Sequence, residues 1–489
     1  GATITETNLA IEAAAAVTLN EDHDVDVLAV NVSGTGSIAF TDTDGLAVGT
    51  VDGVSGLDAN SGNVSVTTGS GGGASTGLQV SQSIVADSSG AGTSTVSLSG
   101  TDANEAFILD DNTSINSNDG KITLTFDNFD IGTTGTSIHT TTANTIEIGT
   151  VNTGTRFSLG DAGANAADNV ARLSDAELNR IGLTAAVSEL EIVTANTSAN
   201  AIDMFGDVTL LDGQTPELLL NATAGGITDS GAATLTVTTL GLQAGGGGIA
   251  TSGNRLLVDT GNDTIAAIAT GAIFITEADG ATVGSVTVDG VTITGITTTG
   301  AGGSIDLVVT DGTLTVNEQI AATGAGNDVR IDVNGAGDDD DIVLASNGNV
   351  SATDQVELRA SRDITQATSS ITVSAVSLAM IAGRDIGTAF GDAAIDTNVT
   401  TLAASAGNAA AGNIFVRQTA AGGDLTIGEV TTGLAGTPTV TGAVANTNDG
   451  TVDVRTLDGG IVVSQVVTAA GTGNVVLDAF DTGANSTHS

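Results

Sequence analysis

The run Asp341–Gly387, DIVLASNGNVSATDQVELRASRDITQATSSITVSAVSLAMIAGRDIG, repeats an Asp-Ile pair at a fixed interval. The pair stands at Asp341-Ile342, Asp363-Ile364 and Asp385-Ile386, in steps of 22 residues. In the same register Leu358 maps onto Met380, Ala360 onto Ala382 and Arg362 onto Arg384, and Ile320 extends the isoleucine column one step earlier. Inside the repeat the apolar Val356, Leu358 and Ala360 alternate with the polar Glu357 and Arg359, the period-two pattern of a strand with one face buried. Short strands inside a period of about 22 predict the coils of a parallel β-helix. The fold class expected is therefore all-β, a β-solenoid.

Composition supports this reading and excludes others. The 489 residues include 67 Gly, 10 Phe and no Trp, Tyr or Cys. A globular core of this size fills its irregular centre with aromatics, whereas a narrow solenoid interior stacks small aliphatic side chains. A hydrophobic content of 40% and a mean hydropathy of +0.25 are too high for a disordered chain. The charge is extreme, 57 acidic side chains against 11 basic ones for a net charge of -46. Such a surface repels nucleic acid, and its self-repulsion is relieved by salt or divalent cations, which suits a saline or calcium-containing exterior. Of the acids 44 are Asp and 13 Glu, and Asp favours bends because its short carboxylate accepts from nearby amides. No apolar run is long enough to span a membrane, so membrane insertion is not expected. The start at Gly1 and the absence of an evident stop feature at Ser489 read as a piece of a longer chain.

Along the chain, strand follows strand with Gly, Asp, Ser and Asn bends and no helical spacer, which excludes a doubly wound α/β fold. Residues 1–160 read as solenoid coils. Residues 161–205 read as an irregular excursion, where Ser174-Asp175-Ala176-Glu177 has the spacing of a capping box and DAELNRI forms a helix of one or two turns. Residues 206–489 return to coils, with a loop insertion near 387–413 where the step of 22 is lost. The whole is expected as one continuous rod. Phrases return far apart, as in VGTVDGVSGLDANSGNVSV (Val48–Val66), VGSVTVDGVTITGITTTGAGGSIDLVV (Val283–Val309) and IGEVTTG followed by VANTNDGTVDV (Ile427–Val454).

Candidate chemistry is sparse. The histidines are His23, His139 and His488, and no nucleophile stands beside a base in a known spacing. Calcium is the better chemical reading. GAGNDVRIDVNGAGDDDDIVL (Gly324–Leu344) echoes the Gly-x-Gly-x-Asp spacing of calcium-binding β-rolls, DTGNDTIAAI (Asp259–Ile268) does so more weakly, and Asp338, Asp339, Asp340 and Asp341 are the expected ligands. Arg362 and Arg384 share the parity of inward residues, so a bend at Ser361–Asp363, repeated at Gly383–Asp385, is expected to turn them outward beside Asp363 and Asp385. Those pairs set register rather than function.

The phrases VGTVDGVSG, VGSVTVDGVTITGITTTG, LSDAELNRI and LAMIAGRDIGT resemble those of the giant repetitive surface proteins of bacteria, the filamentous haemagglutinin-type adhesins. The likeness covers most of the chain as style and about a third as phrases. It implies a secreted, right-handed parallel β-helix and carries over no functional residue. The function expected is that of an extracellular structural protein on the cell surface, self-associating end to end or side by side into a fibre, filament or surface layer. The alternative is an adhesin contacting a glycan or host surface through residues 161–200 or 387–413. A polysaccharide-active enzyme has the least support, because the chain offers one Lys and no Trp or Tyr for a sugar site.

Overall fold

Ile342, Val343 and Leu344 form a three-residue strand whose first and last side chains are buried while the middle one is half-exposed. Most strands of the chain repeat this pattern at lengths of three to six residues, because β-branched and aliphatic residues fit a pleated surface with one face inward. In the computed structural model, which describes residues 2–480 except 70–75, 87–92, 141–143, 164–167, 183–188, 211–216, 338, 392, 408–411, 420–422, 432, 435–438 and 447–448, these strands pair in parallel with equivalents one coil away. The chain is a parallel β-helix. No helix in the described residues is long and apolar enough to cross a membrane.

Two compact units divide the chain, one of residues 1–246 with 287–291, the other of residues 247–286 with 292–489. In the first, one buried column runs Val17, Ile38, Val64, Val96, Ile122, Ile146, Leu190, Leu218, Leu240. Its interior also holds Phe107, Phe126, Phe129 and Phe157, all fully buried. The rings of Phe107 and Phe126 lie 5.4 Å apart between centroids, and those of Phe129 and Phe157 lie 6.2 Å apart. In the second unit a column runs Ala281, Leu314, Ile342, Ile364, Ile386, Ile414, Val452, Val475. Ile320 is not its predecessor: it pairs with Ile296 and Val350 in a neighbouring column, and Leu314 stands under Ile342. The coil between Leu314 and Ile342 is longer than 22 residues, so the fixed step does not carry back to Ile320.

Coil length varies with the bends. Equivalent corner residues are 22 apart from Asp341 to Asp363 and from Asp363 to Asp385, then 28 to Asn413 and 38 to Thr451. In the first unit the step is 19 between Ile4 and His23 and 44 between Thr145 and Glu189. Bends absorb insertions because exposed loops add little closure entropy, while the stacked strands keep register. Residues 387–413 contain the strand Ile395–Ala406, in which Leu402 stacks on Leu378. The long step of 44 accommodates strands Arg156–Leu159 and Val170–Leu173 and the single helical turn Asp175–Leu178. That turn has the expected capping box, with Ser174 Oγ accepting from the Glu177 amide and Glu177 accepting from the Ser174 amide.

One part of each returning phrase proves to be a lateral hairpin, and the rest is coil. Thr50–Val51 pairs with Val54–Ser55, Ser285–Val288 with Val291–Thr294, and Glu429–Thr431 with Thr439–Thr441, each pair forming its own two-stranded sheet. Each hairpin leaves its coil between two glycines joined by a backbone hydrogen bond: Gly56 to Gly49 at 2.9 Å, Gly295 to Gly284 at 2.8 Å, and Gly442 to Gly428 at 2.8 Å. The second glycine has φ of +70°, +69° and +75° respectively, and a Cβ there would collide with the carbonyl oxygen of Ser83, Gln319 or Val466 on the next coil. Only glycine meets both demands. Val430 and Val440 of the third hairpin pack on Ala379, Ala403 and Ile381, the outward face of the sheet.

Candidate functional site: the acidic bends

Asp341, Asp363 and Asp385 stand at one corner of successive coils. Oδ1 of Asp341 accepts from the Asp363 amide at 2.9 Å, and Oδ1 of Asp363 accepts from the Asp385 amide at 2.9 Å. Oδ1 of Asp385 accepts from the Asn413 amide at 2.7 Å, and Oδ1 of Asn413 from the Thr451 amide at 2.9 Å. The ladder thus survives the loss of the 22-residue step. Arg362 turns outward as the parity argument requires, lying 3.5 Å from Asp341 and 3.4 Å from Asp363, and Arg384 lies 3.5 Å from Asp363. Burial pushes the Asp341 carboxyl up from its ordinary value, with the amide of Asp363 and the charge of Arg362 opposing.

The expected quartet Asp338–Asp341 is described only in part. Asp338 lies outside the described residues, and Asp341 serves the corner ladder. Asp339 and Asp340 instead meet Asp311 of the preceding coil, with one carboxylate oxygen from each of the three within 4.8 Å of the others. Oδ1 of Asp340 accepts from the Gly312 amide at 2.9 Å, while its Oδ2 is buried without a hydrogen-bond partner. Asp311 was missed because it lies one coil away, 28 residues from Asp339. The available signal was its Thr-Asp-Gly bend before Leu314, the residue that pairs with Ile342.

Two other acidic groups look similar and differ in their partners. Asp259, from the weaker calcium-like phrase, meets Glu277 and Asp279. Both oxygens of the fully buried Glu277 are already engaged: Oε1 accepts from the Thr260 amide (2.9 Å) and hydroxyl (3.0 Å), Oε2 from the amides of Asp279 (3.0 Å) and Gly280 (2.7 Å). Burial nevertheless pushes the Glu277 carboxyl up. In the first unit Glu147, Glu191 and Asp289 surround Lys121, whose Nζ lies 2.6 Å from Glu147 and 2.5 Å from Asp289. Burial works against that ammonium's charge, but its bonds to Asp289 and Glu147 outweigh this and hold its pKa above the ordinary value. A cation of the chain's own already sits there.

A chain of ion pairs crosses the coils of the second unit. Asp306 binds both Arg255 (2.7 Å) and Arg330 (3.0 Å), and Arg330 also pairs with Asp332 and lies 3.7 Å from Glu357. Glu357, expected outward and solvated, is therefore buried, because the Arg330 side chain from the coil below lies beside it.

The first unit has a groove of about 730 Å³ beside the capped helical turn, lined in part by Asp110, Asp111, Asp130, Arg172, Ser174 and Glu177. Arg172 is engaged by Asp161 (3.2 Å) and Asp168 (2.6 Å), and Glu177 accepts from the Ile131 amide (2.9 Å) as well as in the capping box. Elsewhere, His23 is buried, stacks on Phe40 with 5.4 Å between centroids, and accepts from the Ile4 amide at Nδ1 (3.0 Å). His139 lies with Nδ1 3.3 Å from Ser137 Oγ on the same strand, and burial pushes its pKa down. No family profile, curated protein or solved structure matches the chain.

Proposed function

We propose that this is an extracellular structural protein whose stacked coils build a surface fibre, filament or surface-layer segment by adding the coils of a second copy. The observation that carries the reading is the coil Ile461–Ala479, whose inward column is exposed among the described residues. Val475 and Leu477 are 45% and 38% exposed, whereas Val452 and Val454, their partners one coil below, are 0% exposed. Val462, Val463 and Val466 of the same coil are also exposed. At the other extreme, strand Thr5–Ala13 pairs with residues 24–32 and, among the described residues, with no second strand. Among the described residues the coil-to-coil pairings are parallel, and a strand edge without a partner is a template for another strand. A head-to-tail contact between copies is heterologous, and it yields an open filament where its rotation does not close a ring. The charge of -46 favours assembly in saline, where repulsion between copies is screened. The likeness to filamentous haemagglutinin-type surface proteins points the same way. Electron microscopy of the purified chain in 150 mM NaCl tests this: the reading expects elongated assemblies that grow with concentration, and discrete monomers at every concentration would overturn it.

The groove of the first unit favours a second reading, an adhesin that takes a glycan there. Arg172, Asp130 and Asp111 offer donors and acceptors to sugar hydroxyls. A glycan array on the wild type and on Arg172→Ala tests it, with binding lost in the variant as the expected result.

A further inference from the structure

We infer that Asp311, Asp339 and Asp340 form a binding site for a hard divalent cation, calcium, that ties two successive bends together. The three carboxylates come from consecutive coils of the second unit, Asp311 on the bend before Leu314 and Asp339–Asp340 on the bend before Ile342, the strands that pair directly. Two ligands of one calcium ion, each at about 2.4 Å, stand at most about 4.8 Å apart. The carboxylate oxygens meet that limit, all lying within 4.8 Å of one another.

The independent sign of a ligand is Asp340. Its side chain is 0% exposed, and its Oδ2 is buried with no hydrogen-bond partner, although Oδ1 is held by the Gly312 amide at 2.9 Å. A buried carboxylate oxygen without a donor or counter-charge carries a large desolvation cost. Among the described residues no Lys or Arg pairs with any of the three acids. In this the cluster differs from Glu147–Glu191–Asp289, which holds Lys121, and from Asp259–Glu277–Asp279, where amides saturate Glu277.

The backbone leaves room for the ion. A Cβ added to Gly337 would stand 2.7 Å from Oδ1 of Asp339, 3.4 Å from Oδ1 of Asp311 and 3.7 Å from Oδ2 of Asp340, so the absent side chain marks a point that all three acids face. Gly335 likewise passes against the Asp340 carboxylate, where a Cβ would collide. Asp311 and Asp339 are exposed, which leaves the remaining coordination positions to water and favours calcium, with its tolerant geometry, over magnesium.

The test is calorimetric titration of calcium chloride into chelator-treated protein in 150 mM NaCl, with thermal melts in calcium and in EDTA. Wild type is expected to show a saturable site and a higher melting temperature in calcium. Asp340→Asn keeps the acceptor for the Gly312 amide and removes the buried charge, so it is expected to melt no lower than wild type in EDTA while losing at least about tenfold in calcium affinity. Gly337→Ala, which fills the space without touching the corner ladder, is expected to lose affinity similarly and serves if Asp340→Asn fails to fold. Magnesium is expected to bind at least about tenfold more weakly. Absence of saturable calcium binding by the wild type, wild-type affinity in both variants, or a preference for magnesium overturns the assignment.

Discussion

Asp363 holds one corner of the coil in three ways: Oδ1 accepts the Asp385 amide, and Oδ2 lies 3.4 Å from Arg362 and 3.5 Å from Arg384. Removing it orphans a half-buried amide, so Asp363→Ala is expected to cost about 1.5–3 kcal/mol in urea unfolding. Asp363→Asn, which keeps the Oδ1 acceptor, is expected to cost about 1 kcal/mol or less; equal losses would show that charge rather than the ladder matters. The same device recurs at Asn63 and Asn349, whose Oδ1 atoms accept from the Thr95 and Thr372 amides. A second prediction concerns protons. Burial pushes Asp42 from 3.8 up to about 7, despite amides of Val25 and Asp44 that favour its charge, and Asp44 beside it adds to the rise. Burial pushes Glu105, Glu191, Glu277 and Asp328 up as well. A raised native pKa means that the folded chain holds more protons than the unfolded one, so this contribution to stability is fully present below about pH 4 and is lost as the pH rises through 7. The melting temperature is therefore expected to be higher at pH 5 than at pH 8. A higher value at pH 8 would contradict the burial of these acids. The Asp-Ile corners were legible in the sequence because their step is constant. Glu357 was not, because its partner Arg330 lies on another coil.

At the scale of elements, the strands were legible from alternation alone, and so was the capped turn at Ser174, because both signals are local. The hairpins were not. The phrases around Gly49–Gly56, Gly284–Gly295 and Gly428–Gly442 read as coil repeats, since a lateral hairpin has the same alternation and the same glycines as a coil with bends. The structure separates the two through the positive φ of the second glycine and its closeness to the next coil. Gly295→Ala is accordingly expected to destabilise by at least about 1–2 kcal/mol from φ alone, whereas Gly253→Ala, with open space around it, is expected to be near neutral. Matching melts of the two variants would refute this. The aromatic packing of the first unit is the other element-scale device: Phe129→Ala is expected to cost about 3–5 kcal/mol, because the ring is buried among Phe107, Phe126 and Phe157.

At the scale of the molecule, a single coil buries too little apolar surface to offset the ordering of its own backbone, so each coil depends on the next. The sequence showed this architecture through one stretch where the step is constant, but could not show the coil lengths elsewhere, which the bends set independently of the buried columns. The same dependence makes an uncovered coil a binding surface, which is the centre of the functional proposal. Sedimentation velocity on the wild type and on a Val475→Lys, Leu477→Lys double variant, both in 150 mM NaCl, tests it most directly. Both side chains are already exposed, so the variant is expected to fold and melt as the wild type does. The account predicts that the wild type sediments as species that grow with concentration while the variant stays monomeric. A wild type that remains monomeric throughout, or a variant that assembles equally well, would contradict it.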